Sequence, residues 1–373
     1  MYTVFADFHH AGLLNSLILL FEERLGGSLF RPIGMEWAEL GYWKVFDHPA
    51  TRAQYLAIGG ETPDNSQPLN EVVEEVSISG KEKAQLYYCQ DIDCGQINKA
   101  ITLDGFMSMK FDFVIASLPQ HIKSFRQLVN QHPDHPKLLY QVGNSWNITA
   151  EQAQYLDGVL ASSKMPLGIS VNGANGKPLP VVEYHQEFDA ELFSPSTEEH
   201  LDFLANHGKM ISSFVNCFSV DQMFAQDWQL FQEVEKLMPE WEFYARGGQC
   251  RDGAAHGARQ VAMSMTDSKF IWHTKRGGDG YGHIIHNAFA CGKPPIVKFS
   301  DYEGKMAGSM MVDGITAINI DNLSAQEIVQ KILLFSEPDR YKIISREARK
   351  MFEFTVNFEK EALSIKQMLS NLL

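Results

Sequence analysis

The stretch Thr274–Val297, TKRGGDGYGHIIHNAFACGKPPIV, packs five glycines and a Pro-Pro pair around a short apolar run. Its residue types suit anion binding. Phe270 to His273 reads as a strand end, and Lys275 to Asp279 as a loop. Gly280 to Gly282 let the backbone turn tightly. The helix expected from about Gly282 to Cys291 presents unpaired N–H groups at its N-terminus. Those donors and the helix dipole attract phosphates. Lys275 and Arg276, just upstream, add charge for a diphosphate. Gly292 ends the helix, and Pro294-Pro295 forces the chain out into the next strand. The same pattern also fits a helix cap with no ligand.

Such a loop needs a sheet behind it, and the chain reads as α/β with parallel strands. It opens with a strand (Tyr2 to Asp7), a turn at His9-His10-Ala11-Gly12, a helix (about Leu13 to Arg24) and a strand (Ser28 to Ile33). Residues from about 34 to 100 hold two acidic, turn-rich pieces, GGETPDNSQP and NEVVEEVSISGKEK, and read as an inserted surface region. Strands resume at Phe111 to Ser117, Lys137 to Val142, GVLASS, LGISVN and Pro180 to His185, with a helix starting at Pro119. After Pro195 the pattern restarts. Helix Thr197 to Asn206 leads to strand MISSFVNC, helix QDWQLFQEVEKL, strand WEFYARGG and then VAMSMTDSKFIWH, a helix end entering a strand. Beyond the glycine stretch, PPIVKF and ITAINI read as strands. Helix runs from Ser324 to the end, broken near Pro338. Two domains are expected, 1–190 and 191–373, with a last helix able to return across the first.

Composition bounds the function. The 373 residues, 45% hydrophobic and 21% charged, describe an ordinary globular protein with room for two cores. No run approaches the ~18 apolar residues of a membrane span. The start, MYTVFADFHHAG, lacks the basic flank and cleavage site of a signal peptide. Five scattered cysteines read as reduced thiols in a cytoplasm. A net charge of −14 opposes broad nucleic-acid binding, which rests on phosphate neutralisation. There is no G-x-S-x-G elbow, no phosphate loop of the G-x-x-x-x-G-K-[ST] type, and no dinucleotide fingerprint after the first strand. His283 and His286 have a metal-like spacing but no evident third ligand, so no metal is expected.

DGYGHIIHNAFACGKPPIV resembles the signature of retaining glycosyltransferases with the GT-B fold, roughly E-G-F-G, four residues, then E-A-x-A-x-G-x-P-V. FDAELFSP, Phe188 to Pro195, is similar to the V-D-x-x-x-F-x-P segment entering that family's second domain. The turn at Ala11-Gly12 and the closing REARKMFEFTVNFEKEAL resemble the family more weakly. The resemblance implies two Rossmann-like domains facing a cleft, with the acceptor mainly on the first and a nucleotide-sugar donor mainly on the second. The donor set it implies is Lys275, Arg276, Gly278, Asp279, Gly280 and Tyr281, continuing through Gly282, His283 and Asn287, with Gly12 on the first turn. His9 and His10 would lie at the cleft edge, where an imidazole can orient an acceptor hydroxyl or take its proton. Asn144 and Trp146 occur where related enzymes carry acceptor or catalytic residues.

The chain departs from the family at its charges. Where the family has two glutamates, one touching the sugar and one the ribose, this sequence has Asp279 and Asn287. Where it has an Arg and a Lys early in the second domain, the matching positions are Cys217 and Gln222, so Lys275 and Arg276 are expected to substitute. Trp37, Tyr42 and Trp43 could stack on a sugar or base, or form the packed face of an inserted helix. The expected function is transfer of a hexose from a nucleoside diphosphate sugar, a UDP-sugar first, to a hydroxyl of a glycan, lipid or modified DNA base, with retention and no further cofactor. A phage-type DNA-base glucosyltransferase is one alternative, and a basic groove of Lys44, Arg52, Lys110, Lys123 and Arg126 would favour it. A non-catalytic protein of the same fold that binds a nucleotide or glycan is another, as is an epimerase or phosphorylase.

Overall fold

Runs such as FDFVIAS are apolar at nearly every position, which suits strands covered on both faces. The structure, a computed structural model, describes residues 1–8, 10–42, 56–57, 74–78, 82–88, 97–143, 148–163, 171–255 and 257–373. It divides into two compact units: Met1–Phe188 with Phe358–Leu373, and Asp189–Asn357.

The first unit is built on β1 (Thr3–Ala6), β2 (Ser28–Pro32), β3 (Glu74–Ile78), β4 (Glu82–Tyr88), β5 (Ile97–Ile101), β6 (Phe113–Ala116), β7 (Lys137–Val142), β8 (Gly158–Ala161) and β9 (Val181–Glu183). Their order across the sheet is β3-β4-β5-β2-β1-β6-β7-β8-β9. All neighbours from β5 to β9 are parallel, and β4 is antiparallel to both β3 and β5. Part of the acidic stretch between 34 and 100 is therefore a hairpin that extends the sheet edge. Its glutamates hid the period-two pattern of EEVSI.

Alternation along each strand divides the core. Val4 and Ala6 face a cluster with Leu17, Leu160, Ile365 and Leu369, while Phe5 faces Trp37, Phe106 and Phe125. Trp37 is fully buried, stacked on Phe5 at 4.8 Å, with its indole donating to the Ile101 carbonyl at 3.2 Å. It is a core residue and not a sugar platform. The helix Phe358–Leu372 belongs to this unit, through Ala362, Ile365, Met368 and Leu369 at helical spacing.

The second unit carries β10 (Met210–Ser213), β11 (Glu242–Ala245), β12 (Phe270–Trp272), β13 (Pro295–Val297) and β14 (Ile318–Asn319), all parallel, in the order β11-β10-β12-β13-β14. Its core joins Ile211, Phe243, Trp272 and Ile296 to Phe231 and Tyr341 from the helices. Ser324 caps the helix Ala325–Ser336 reciprocally with Glu327, and Pro338 opens the helix Pro338–Thr355.

Both sheets reverse direction at one point. β1 has β2 on one side and β6 on the other; β10 has β11 on one side and β12 on the other. Open α/β sheets bind ligands outside the carboxyl ends of the strands at such a switch point. Those ends are Asp7 and Ser117 in the first unit, and the residues after Ser213 and Trp272 in the second. Among the described residues no helix is long and apolar enough to cross a membrane.

Candidate functional site

The glycine stretch begins at the carboxyl end of β12, on the switch point of the second sheet. The Trp272 indole donates to Thr274 Oγ1 at 2.9 Å, both buried, which fixes how the chain leaves the strand. His273, also buried, places Nε2 2.8 Å from Asp279 Oδ2. Lys275 Nζ bonds the other Asp279 oxygen. The Gly278 N–H closes a turn onto the Lys275 carbonyl at 2.6 Å. Gly277 donates to Asp301 Oδ1 at 2.9 Å, and Lys305 Nζ donates to the Gly277 carbonyl. Gly278 has φ +62°, and a Cβ there would lie 2.3 Å from the Asp301 carbonyl oxygen, so no other residue fits.

Gly282, at φ 83° and ψ 58°, is the N-cap of the helix His283–Ala290 and has no side chain to cap it. No side chain caps the first turn of this helix. Tyr281 stacks on the buried His286 at 4.0 Å and 10° and meets His283 edge-on at 4.9 Å. His286 Nδ1 donates to the Gly282 carbonyl at 2.9 Å. Tyr281 and His286 therefore brace the turn from within. Asn287 is 7% exposed, and its Oδ1 is buried with no hydrogen-bond partner among the described residues.

The charges are partly spent. Burial alone would raise the Asp279 carboxyl, but His273 and then Lys275 hold it well below the ordinary carboxylate range. Lys275 is correspondingly tied, whereas Arg276 is exposed. Lys305 lies over the Tyr302 ring at 5.5 Å, and burial lowers its ammonium. Cys217 is held at φ 59° with its N–H on the Gly248 carbonyl at 2.9 Å, and Gln222 is exposed on a short turn. Neither supplies a cation.

In the first unit, the helix starts at Ala11, so Gly12 lies inside its first turn and not in the loop before it. His10 is the N-cap, and its Nδ1 accepts the Leu13 N–H at 3.0 Å. A neutral imidazole that accepts at Nδ1 carries its proton on Nε2, which then donates. In that state His10 can orient an oxygen but cannot take a proton. His9, Asn144 and Trp146 lie outside the described residues, as do Trp43, Lys44 and Arg52. Of the other basic residues considered for a DNA groove, Arg126 is committed to the Tyr155 carbonyl at 2.6 Å and Asp157 at 2.7 Å, while Lys110 and Lys123 are exposed.

Sequence reasoning missed His273, Asp301 and Lys305 around the loop. It took Asp7, at the end of the first strand, as no more than a cap for the turn, and missed its bonds to the Ser117 N–H and His121 Nδ1, each at 2.5 Å. The available signal was that polar residues close two buried strands, DF after β1 and SLPQH after β6.

No family profile and no curated protein sequence matches the chain. Solved structures do. HepE from Anabaena, solved with UDP and glucose, is 12% identical over 100% of both chains with a TM-score of 0.62. A glycosyltransferase from Rickettsia africae is 12% identical over 100% of this chain and 98% of that one, at 0.60. A sucrose-phosphate synthase from Thermosynechococcus elongatus is 11% identical over 100% and 99%, at 0.58. The chain has the GT-B glycosyltransferase fold.

Proposed function

We propose that the protein is a glycosyltransferase that moves a hexose from a nucleoside diphosphate sugar, a UDP-sugar first, to a hydroxyl acceptor with retention. The observation that carries this reading is the glycine loop. It leaves the switch point of a parallel sheet, ends in a helix N-terminus that no side chain caps, and leads to an Asn287 oxygen that is buried and has no hydrogen-bond partner among the described residues. As the sugar leaves its donor, negative charge grows on the diphosphate. The N–H groups after Gly282, with Arg276 and Lys275, stabilise that charge. Asp279, ionised and acceptor-only, receives hydrogen bonds from the sugar hydroxyls. Asn287 Oδ1 accepts one from the ribose. The fold shared with HepE, whose structure contains UDP and glucose, supports the choice of donor.

The test is thermal stability with UDP, GDP, ADP and TDP sugars, followed by the anomeric configuration of the product by NMR. Ligand binding to the native state alone raises the melting temperature. A UDP-sugar is expected to do so, and Arg276→Ala to reduce the shift. No shift with any of these donors overturns the donor site. A second reading, nucleotide binding without transfer, draws on the Lys275–Asp279 pair, which occupies one of the two cations. A donor-induced shift with no product from any acceptor would favour it.

A further inference from the structure

The loop that carries the donor site also carries a contact that opposes it. Lys275 Nζ bonds Asp279 Oδ1, four residues on, while Asp279 Oδ2 lies 2.8 Å from His273 Nε2. The pair sits against the start of the helix His283–Ala290: a Cβ on Gly282 would lie 3.7 Å from Asp279 Cβ. A diphosphate arriving at that helix end meets an ammonium already neutralised and a carboxylate that repels it. A sugar hydroxyl arriving at Asp279 finds one oxygen held by Lys275 and the other facing His273. Each half of a donor is therefore better served with the pair apart.

The two partners are not equally mobile. The Asp279 side chain is 19% exposed and is gripped by His273, which is 1% exposed at the end of β12. The turn before it is pinned three times: Gly278 N–H bonds the Lys275 carbonyl at 2.6 Å, Gly277 donates to Asp301 Oδ1 at 2.9 Å, and Lys305 Nζ donates to the Gly277 carbonyl. The Lys275 side chain is 37% exposed, and its flexible four-carbon stem gives the ammonium room to swing. When the pair opens, Lys275 moves and Asp279 stays.

Opening has a cost that depends on the ligand. A free nucleoside diphosphate draws Lys275 off and leaves Asp279 Oδ1 without that donor in a largely buried site. Stripping one partner from such a pair costs more than the pair itself contributes. An intact nucleotide sugar draws Lys275 with its diphosphate and offers a sugar hydroxyl to Oδ1 in exchange.

We propose that Lys275 and Asp279 form a latch that sets the specificity of the donor loop: it opens for an intact nucleotide sugar and closes against the free nucleoside diphosphate, which is thereby expelled after transfer. The proposal rests on the donor reading of this loop. The ion pair itself stands on its own geometry.

The experiment is a double-mutant cycle on the full-length protein, read by titration calorimetry. Wild type, Asp279→Asn, Lys275→Ala and the double variant are titrated with UDP-glucose, UDP-N-acetylglucosamine, GDP-mannose, free UDP and GDP, and inorganic pyrophosphate. The wild type is expected to bind at least one nucleotide sugar about tenfold tighter than its free diphosphate. Asp279→Asn should bind that diphosphate, and pyrophosphate, about tenfold tighter than the wild type does, and the nucleotide sugar no tighter, so that the preference disappears. With Lys275→Ala as the background the gain from Asp279→Asn should vanish, because there is no ammonium to release. The latch is overturned if Asp279→Asn tightens no diphosphate. It is also overturned if the gain persists without Lys275, which would mark plain repulsion between carboxylate and phosphate. A wild type that binds nucleotide sugars and free diphosphates equally well sinks the latch and leaves the donor site standing. No binding of any of these compounds overturns the donor reading and the latch together.

Discussion

Single side chains in the glycine loop trade stability against binding. A buried carboxamide oxygen with no partner costs about 1–3 kcal/mol, so Asn287 is retained at the expense of the fold. Asn287→Leu should melt at or above the wild-type temperature and lose most of the UDP-sugar shift; a melting point several degrees lower would mark Asn287 as purely structural. Asp279 shows the opposite balance. Its folded pKa is depressed, so the stability it contributes is present above the ordinary carboxylate range and lost as pH falls below about 4. In urea titrations Asp279→Asn should cost about 1–2 kcal/mol at pH 7, with the gap to wild type narrowing steadily toward pH 2.5. Lys293 titrates at the other end. It is 1% exposed, donates to the Thr266 carbonyl at 2.7 Å, and burial lowers its ammonium to about 8. From about pH 8 to 10 the unfolded chain binds the extra proton, so stability rises with pH there. Lys293→Met should flatten that rise by up to ~1.4 kcal/mol per pH unit. The spacing of Gly278, Asp279 and Gly282 was legible in the sequence. The groups that tune it were not, because Asp301 and Lys305 reach Gly277 from 24 and 28 residues away.

Among the elements, the loop and its helix depend on two glycines for different reasons. At Gly282 a Cβ would meet nothing closer than 3.6 Å, so Gly282→Ala carries only the left-handed backbone cost of about 1–2 kcal/mol. At Gly278 it would strike a carbonyl oxygen at 2.3 Å, and the loop would have to move. Chemical denaturation should therefore rank Gly278→Ala well below Gly282→Ala; equal losses would mean that the 274–282 loop yields easily. The elements themselves were readable where physics repeats locally. Strands buried on both faces appear as continuous apolar runs, and Pro338 marks a helix start. The hairpin of β3 and β4 was obscured because charged residues open both strands and interrupt their apolar alternation. The placement of Gly12 was missed because the cap is a histidine, which is not among the usual N-cap residues.

At the scale of the molecule, the first unit is assembled from both ends of the chain. The helix Phe358–Leu372 buries Ile365 and Leu369 completely, Tyr2 meets Ser370 at 2.9 Å, and Glu361 holds His185 at 2.8 Å. Each large apolar side chain buried is worth ~1.5–3 kcal/mol, so the helix accounts for much of an ordinary domain's stability. Truncation after Asn357 should raise hydrogen exchange in β1, β8 and the helix Ala11–Ile18. Exchange in the helix His283–Ala290 should stay near wild type. Uniform loss of protection in both units would refute this division.

The arrangement also sets an order in time. A ribosome releases every residue of the second unit before it delivers the helix that completes the first. The unit that begins the chain is therefore the last to close, against the usual N-terminal-first sequence of events. Until then the newborn protein keeps the Leu17 and Leu160 face uncovered.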